Sequence, residues 1–202
     1  MSTTKTTPSI YQLKITLIGI EPPIWRRIQV PSTIPLCCLH DTLQAVLGWT
    51  DSHLHQFEKD GKVWGDPEND EFGEFDIIDE SKTPIARVLK AEGDSMIYVY
   101  DFGDDWRHEV LLEKLIPVRE VPKTAVCLAG KRRCPPEDVG GVHGYQEFLE
   151  AIFDPTHEDH DQFVRWAGSR FQAEEFDLKG GEREALTDAI ADSTQALMSA
   201  TL

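Results

Sequence analysis

The sequence predicts an α+β domain: a mainly antiparallel sheet with one helix after the second strand and C-terminal helices packed on it. Three observations carry this reading. Short β-branched and aromatic runs separated by turn residues recur through Glu113; one strongly periodic helical stretch, residues 36–47, interrupts them; and helical spacing returns at Tyr145. The chain accordingly divides into a disordered leader over 1–9, the domain over 10–178 and a helical appendage over 179–202.

Tyr11 to Ile20 reads as a strand rich in Ile and Leu, broken by Pro22-Pro23. Ile24 to Val30 alternates next, so the two pair antiparallel through a proline turn. Arg26 and Arg27 then fall on opposite faces and make a poor phosphate clamp. The helix follows, with Leu36, Leu39, His40, Leu43, Val46 and Leu47 at 3, 4 spacing, Ser32 or Thr33 as N-cap, and Gly48 as the stop. His40 lies on the apolar stripe, where a hydrogen-bonded core histidine is commoner than a ligand. Cys37 and Cys38 point about 100° apart on that helix and read as packing residues.

Trp49 to Gly65 reads as a hairpin turning at Asp60-Gly61. His53 and His55 are two apart, a spacing that puts both imidazoles on one face of a strand. With His108 facing them from the next hairpin, three nitrogens would hold a zinc ion and leave a fourth position for water; two rim histidines are the plainer alternative. Asp66 to Glu80 carries eight acidic residues and no basic one. Calcium would favour that composition, but EF-hand spacing is missing, so an exposed loop with a short strand near 75–78 is expected. Residues 84–90 supply one or two helical turns.

The stretch that organises the rest is IYVYDFGDDWRHEVLLE, residues 97–113: a strand, an acidic turn and a second strand that places Trp106 and His108 on one face. Asp101, Asp104, Asp105 and His108 gather at one bend. Carboxylates so crowded need a cation, backbone N–H groups or water, so the bend is either a solvated tip or a site. The sheet ends near Pro117 to Pro122, and a loop follows from Cys127 to Tyr145, stiffened by Pro135-Pro136 and freed by Gly140-Gly141 and Gly144. That loop either plugs the sheet edge or presents Glu137 and Asp138 to the same place as Asp101 and His108. Tyr145, Phe148, Leu149, Ile152 and Phe153 form one helical face and Phe163, Val164, Trp166 and Ala167 the next. A last helix is expected from Glu182 to Leu202.

Composition narrows the function classes. A formal net charge of −16 opposes binding to nucleic acid, and no apolar run reaches the roughly 20 residues a membrane helix requires. The polar N-terminus lacks the apolar core of a signal peptide, so a cytoplasmic location with reduced thiols is expected. Cys127 and Cys134, with six residues between them, miss the usual zinc-knuckle spacing. A GxSxG elbow, a Walker loop and a dinucleotide glycine loop are all missing.

Four motifs in order, PPIWRRIQVP (22–31), GWTDSHLHQF (48–57), YDFGDDWRHEV (100–110) and PPEDVGGVHGY (135–145), resemble the Ri-plasmid ORF-3-like family of plasmids, mobile elements and prokaryotic chromosomes. The resemblance spans most of residues 10–178 and implies no particular activity. The resolvase-type label some members carry finds no nucleophile motif or helix-turn-helix in this chain.

Two functions follow. One is a non-catalytic binding or accessory module with a protein partner, using Trp49, Asp101, Asp104, Asp105, Trp106, Glu137, Asp138 and Tyr145, with Trp49, Trp64 and Trp106 expected as exposed aromatics. The alternative is a metal-dependent hydrolase or nuclease, a divalent metal being held by some of His53, His55, His108 and the same carboxylates.

Overall fold

A computed structural model describes residues 9–69, 76–120, 122, 124–168 and 171–176. Eight strands form one sheet: β1 (Ser9–Leu17), β2 (Trp25–Pro31), β3 (His55–Lys59), β4 (Lys62–Gly65), β5 (Ile77–Asp79), β6 (Ser95–Tyr100), β7 (Trp106–Pro117) and β8 (Val126–Lys131). Their order across the sheet is β5-β4-β3-β6-β7-β1-β2-β8, and every pairing is antiparallel except β4 with β5. Among the described residues three α-helices complete the fold: α1 (Leu36–Leu47), α2 (Gly141–Phe153) and α3 (His160–Ala167). The expected mainly antiparallel α+β architecture is therefore what the chain adopts.

Alternation sets the buried face. Tyr11, Leu13, Ile15 and Leu17 of β1, with Ile28 and Val30 of β2 and Val110 and Leu112 of β7, point into one core with Leu39, Leu43 and Val46 of α1. Each such side chain, removed from water, contributes about 1.5–3 kcal/mol. The polar residues of β2 divide as the alternation requires: Arg26 is buried, whereas Arg27 stays partly exposed and makes a two-pronged ion pair with Glu113 at 2.6 and 2.7 Å.

Three local readings change. The α1 N-cap is Pro35, without a side-chain cap, because the Leu36 N–H donates to the Thr83 carbonyl and Ile85 N–H to Ile34 across the neighbouring segment. Gly48 ends the helix in the left-handed region at φ 80°, as its sequence position predicts. The first part of the 127–145 loop is strand β8, recruited by β2, and α2 begins at Gly141 rather than Tyr145. The expected final helix over 182–202 lies outside the described residues, as do the leader's residues 1–8 and positions 70–75 of the acidic stretch.

Candidate functional site

Strand pairing brings distant loops to one end of the sheet. His55 opens β3 opposite Tyr100, which closes β6, so the loop after α1 and the acidic bend emerge side by side. The Asp101 N–H donates to the Leu54 carbonyl at 2.9 Å, tying the two together. Within the bend Asp101, at φ 57°, accepts from the Gly103 and Asp104 N–H groups through Oδ1, at 2.9 and 3.3 Å. Aspartate tolerates this left-handed conformation because its short carboxylate bonds nearby backbone. The third stretch, residues 135–141, docks on the bend. Gly140 N–H donates to Asp104 Oδ2 at 3.1 Å, and a Cβ on Gly141 would sit 2.5 Å from the Asp104 carbonyl oxygen. Only glycine permits that approach.

Glu137 fastens the assembly. The Tyr100 hydroxyl donates to its Oε1 at 2.5 Å, while the Thr50 hydroxyl, at 2.5 Å, and Thr50 N–H, at 3.2 Å, donate to Oε2. Burial works against charge on Glu137, yet the bonds from Thr50 and Tyr100 outweigh it and hold its carboxyl below the usual range. Burial, and then the bond to Glu137, pushes the Tyr100 hydroxyl well above its ordinary value, so it remains a donor. Ser52 N–H in turn donates to the Tyr100 oxygen at 3.0 Å. Trp49 stacks on Tyr100, centroids 4.9 Å apart, and its indole N–H donates to the Pro135 carbonyl at 3.0 Å.

These fastenings form a polar cup. His53 Nε2 lies 3.1 Å from Asp138 Oδ1 and 3.7 Å from Asp101 Oδ2. The nitrogen is shielded from solvent and makes no hydrogen bond among the described residues, so the close carboxylates flank it without hydrogen-bond geometry. Asp101 is nearly buried, while the Asp138 side chain is 72% exposed and leaves one side of the cup open.

A second cluster lies beneath the neighbouring strand. His40 and His55 stack with centroids 3.4 Å and planes 2° apart. Gln44 Nε2 donates to the Tyr98 hydroxyl at 2.9 Å, and that hydroxyl meets His40 Nδ1 at 2.8 Å. The direction of this chain puts the His40 proton on Nε2, which reaches Asp51 Oδ1 at 2.8 Å. Asp51 N–H returns to Gln44 Oε1 at 3.0 Å and closes a ring of hydrogen bonds. His55 Nε2 faces the buried Glu80 carboxylate at 3.1 and 3.2 Å. Burial, and next the like charge available at His55, bring the His40 pKa down to about 4.

The structure therefore gathers Asp101, Asp104, Glu137 and Asp138 at one place, with Trp49 as their packing partner and His53 among them. It does not bring His53, His55 and His108 into one ligand set among the described residues. The reason is local: β3 begins only at His55, so period two does not govern His53, and the imidazoles take separate partners. His108 is fully buried between Trp49 and Tyr98, and burial lowers its pKa to about 4. Asp105 points outward near Arg107 at 3.5 Å. Tyr145 is buried in α2. The expected exposed aromatics are a correction: Trp49, Trp64 and Trp106 are 7%, 7% and 1% exposed, covered by long-range packing. Thr50, Asp51, Tyr100 and Glu80 are partners that the candidate residues read from sequence do not include; the signal for three of them is that Thr50 and Asp51 lie inside GWTDSHLHQF and Tyr100 opens YDFGDDWRHEV.

The fold and the cup define a class: an α+β domain on one long sheet, with three loops hydrogen-bonded into a polar cup at a sheet end. Within that class the chain belongs to the plasmid pRiA4b ORF-3-like protein family, whose model matches residues 9–180. It is 39% identical over 186 residues to the uncharacterized protein y4hQ of Sinorhizobium fredii, covering 91% of this chain and 92% of that one. It also resembles the crystal structure of a protein of unknown function, MM3350, from Methanosarcina mazei Go1: TM-score 0.75, 41% identity, 86% of this chain and 98% of that one.

Proposed function

We propose that this chain is a non-catalytic binding module whose ligand site is the cup formed by residues 49–53, 101–105 and 135–138. One observation carries the reading: Glu137, far in sequence from both, is held by Tyr100 and Thr50, which fixes the three loops before any ligand arrives. A cavity of about 350 Å³ lined by Trp49, Pro135, Phe171, Arg133, Glu137 and Glu175 adjoins the same loop and offers a ligand both aromatic and charged walls. The net charge of −16 favours a protein or small-molecule partner over nucleic acid. Among the described residues no helix is long and apolar enough to cross a membrane.

The hydrolase alternative needs a carboxylate available as base. Glu137 has both oxygens engaged and Asp104 accepts from Gly140 N–H, so these two carboxylates are structural, and that alternative is left with Asp101 Oδ2 and the exposed Asp138. A thermal-shift screen of peptides and small molecules, run on the wild type and on Asp138→Asn, tests the reading. Ligands that stabilise only the wild type support it. Equal stabilisation of both, or hydrolysis of a phosphodiester by the wild type, overturns it.

A further inference from the structure

We infer that His53 Nε2, Asp101 Oδ2 and Asp138 Oδ1 form a divalent transition-metal site, which rests on reading the cup as the ligand site and names the ligand it holds. Zinc, manganese or their neighbours bind nitrogen and carboxylate oxygen at roughly 2.0–2.2 Å, so donors on one ion stand about 3–3.6 Å apart. His53 Nε2 is 3.1 Å from the Asp138 oxygen and 3.7 Å from the Asp101 oxygen, and all three atoms lie within 4.8 Å of one another. The two nitrogen–oxygen distances thus sit within a few tenths of an ångström of ligand spacing, and the two carboxylate oxygens lie within 4.8 Å of each other.

The nitrogen supplies the second argument. His53 Nε2 is shielded from water yet makes no hydrogen bond among the described residues, although two carboxylates stand beside it. A hydrogen bond to either would be the ordinary outcome in a solvated cluster. Uncommitted among the described residues and with carboxylate oxygens at 3.1 and 3.7 Å, Nε2 is available as a ligand. The outer contacts agree: Asp101 Oδ1 is held by Gly103 and Asp104 N–H, which aims Oδ2 at His53, and Asp138 follows the anchored Glu137. Such second contacts orient metal ligands generally.

The stacked cluster makes the contrast. His40, Asp51 and His55 also offer donor atoms at metal spacing. Their imidazole planes are parallel and 3.4 Å apart, so lone pairs lying in those planes cannot meet at one ion, and both His40 nitrogens already hold partners. In that group His40 Nδ1, His40 Nε2 and His55 Nε2 all have partners, whereas His53 Nε2 of the cup makes no hydrogen bond among the described residues. One nitrogen and two oxygens leave further coordination positions on the exposed Asp138 side, where a ligand group can reach the ion.

Equilibrium dialysis of chelator-treated full-length protein against Zn²⁺ or Mn²⁺, read by elemental analysis, tests the inference; Co²⁺ absorption reports the ligand set. The wild type is expected to take up about one ion per chain, with affinity falling roughly tenfold or more in His53→Gln and in Asp138→Asn. Asp138 is mostly exposed, so its variant keeps the fold, which circular dichroism checks. His55→Gln is expected to bind as the wild type does. Absence of stoichiometric metal, or loss in His55→Gln equal to that in His53→Gln, overturns the site. Failure of metal uptake while the ligand screen still separates the wild type from Asp138→Asn removes the metal alone; uptake without any such ligand removes the binding-module reading alone.

Discussion

The imidazole of His40 lies flat on that of His55, centroids 3.4 Å and planes 2° apart, and through Asp51 the pair braces the loop that carries His53. A second positive charge in this stack would be strongly repelled. The His40 pKa, brought down to about 4 by burial and by His55, and that of the buried His108, brought to about 4 by burial, set the pH response.

The sign follows from linkage. Both groups are depressed below the unfolded value near 6.5, so between pH 6.5 and 4 the unfolded chain binds protons that the folded chain does not. Stability is therefore full above that window and falls as pH drops through it, by up to about 1.4 kcal/mol per pH unit per group. Urea titrations from pH 7.5 to 4.5 should show this fall, and His108→Leu should flatten its slope. A wild-type stability independent of pH over that window would contradict the placement of both imidazoles.

Gly141 and Gly48 both lie in the left-handed region, at φ 68° and 80°, but only Gly141 is crowded: an added Cβ meets the Asp104 carbonyl at 2.5 Å, whereas Gly48 has nothing within 4 Å. Gly48→Ala should cost about 1–2 kcal/mol, the left-handed strain alone. Gly141→Ala should cost clearly more, because the bend must also move off the loop. Comparing their denaturation midpoints checks the docking, and equal losses would argue against it.

Much of this was legible in the chain, for reasons that can be named. The 3, 4 spacing from Leu36 to Leu47, the Gly48 stop and the Asp60-Gly61 turn are local signals, and local signals dictated those elements. Strand β8 was not legible, because VCLAGK lacks alternation and is held by pairing with β2; its Gly130 is required by Phe176 and Arg26, whose atoms would lie 2.5 and 2.9 Å from an added Cβ. The acidic bend and PPED could be read as candidates for one site. Their fastening through Tyr100, Thr50 and Glu137 could not, since such partners are set by tertiary contacts rather than by spacing.

Arg26 links the core to the loop that leads into the site. Its buried guanidinium donates to the carbonyls of Val46 at 2.7 Å, Trp25 at 3.0 Å, Lys131 at 3.3 Å and Arg132 at 2.9 Å, and lies over Phe176. Arg26→Met leaves these acceptors without their donor and should destabilise by about 3 kcal/mol or more. Arg26→Lys should recover little, because a single ammonium cannot reproduce the planar fork. Chemical denaturation of both variants measures the difference; full recovery in the lysine variant would contradict the account.

The account stands most directly on the bond between Tyr100 and Glu137, which joins a strand end to a loop 37 residues away. A double-mutant cycle with Tyr100→Phe and Glu137→Leu, each of which removes the bond, read by urea denaturation at pH 7, isolates it. The predicted coupling is about 1.5–3 kcal/mol, as for a hydrogen bond to a charged acceptor. Additivity within about 0.3 kcal/mol would show that the two side chains do not meet in solution and that the cup is not a single preformed site.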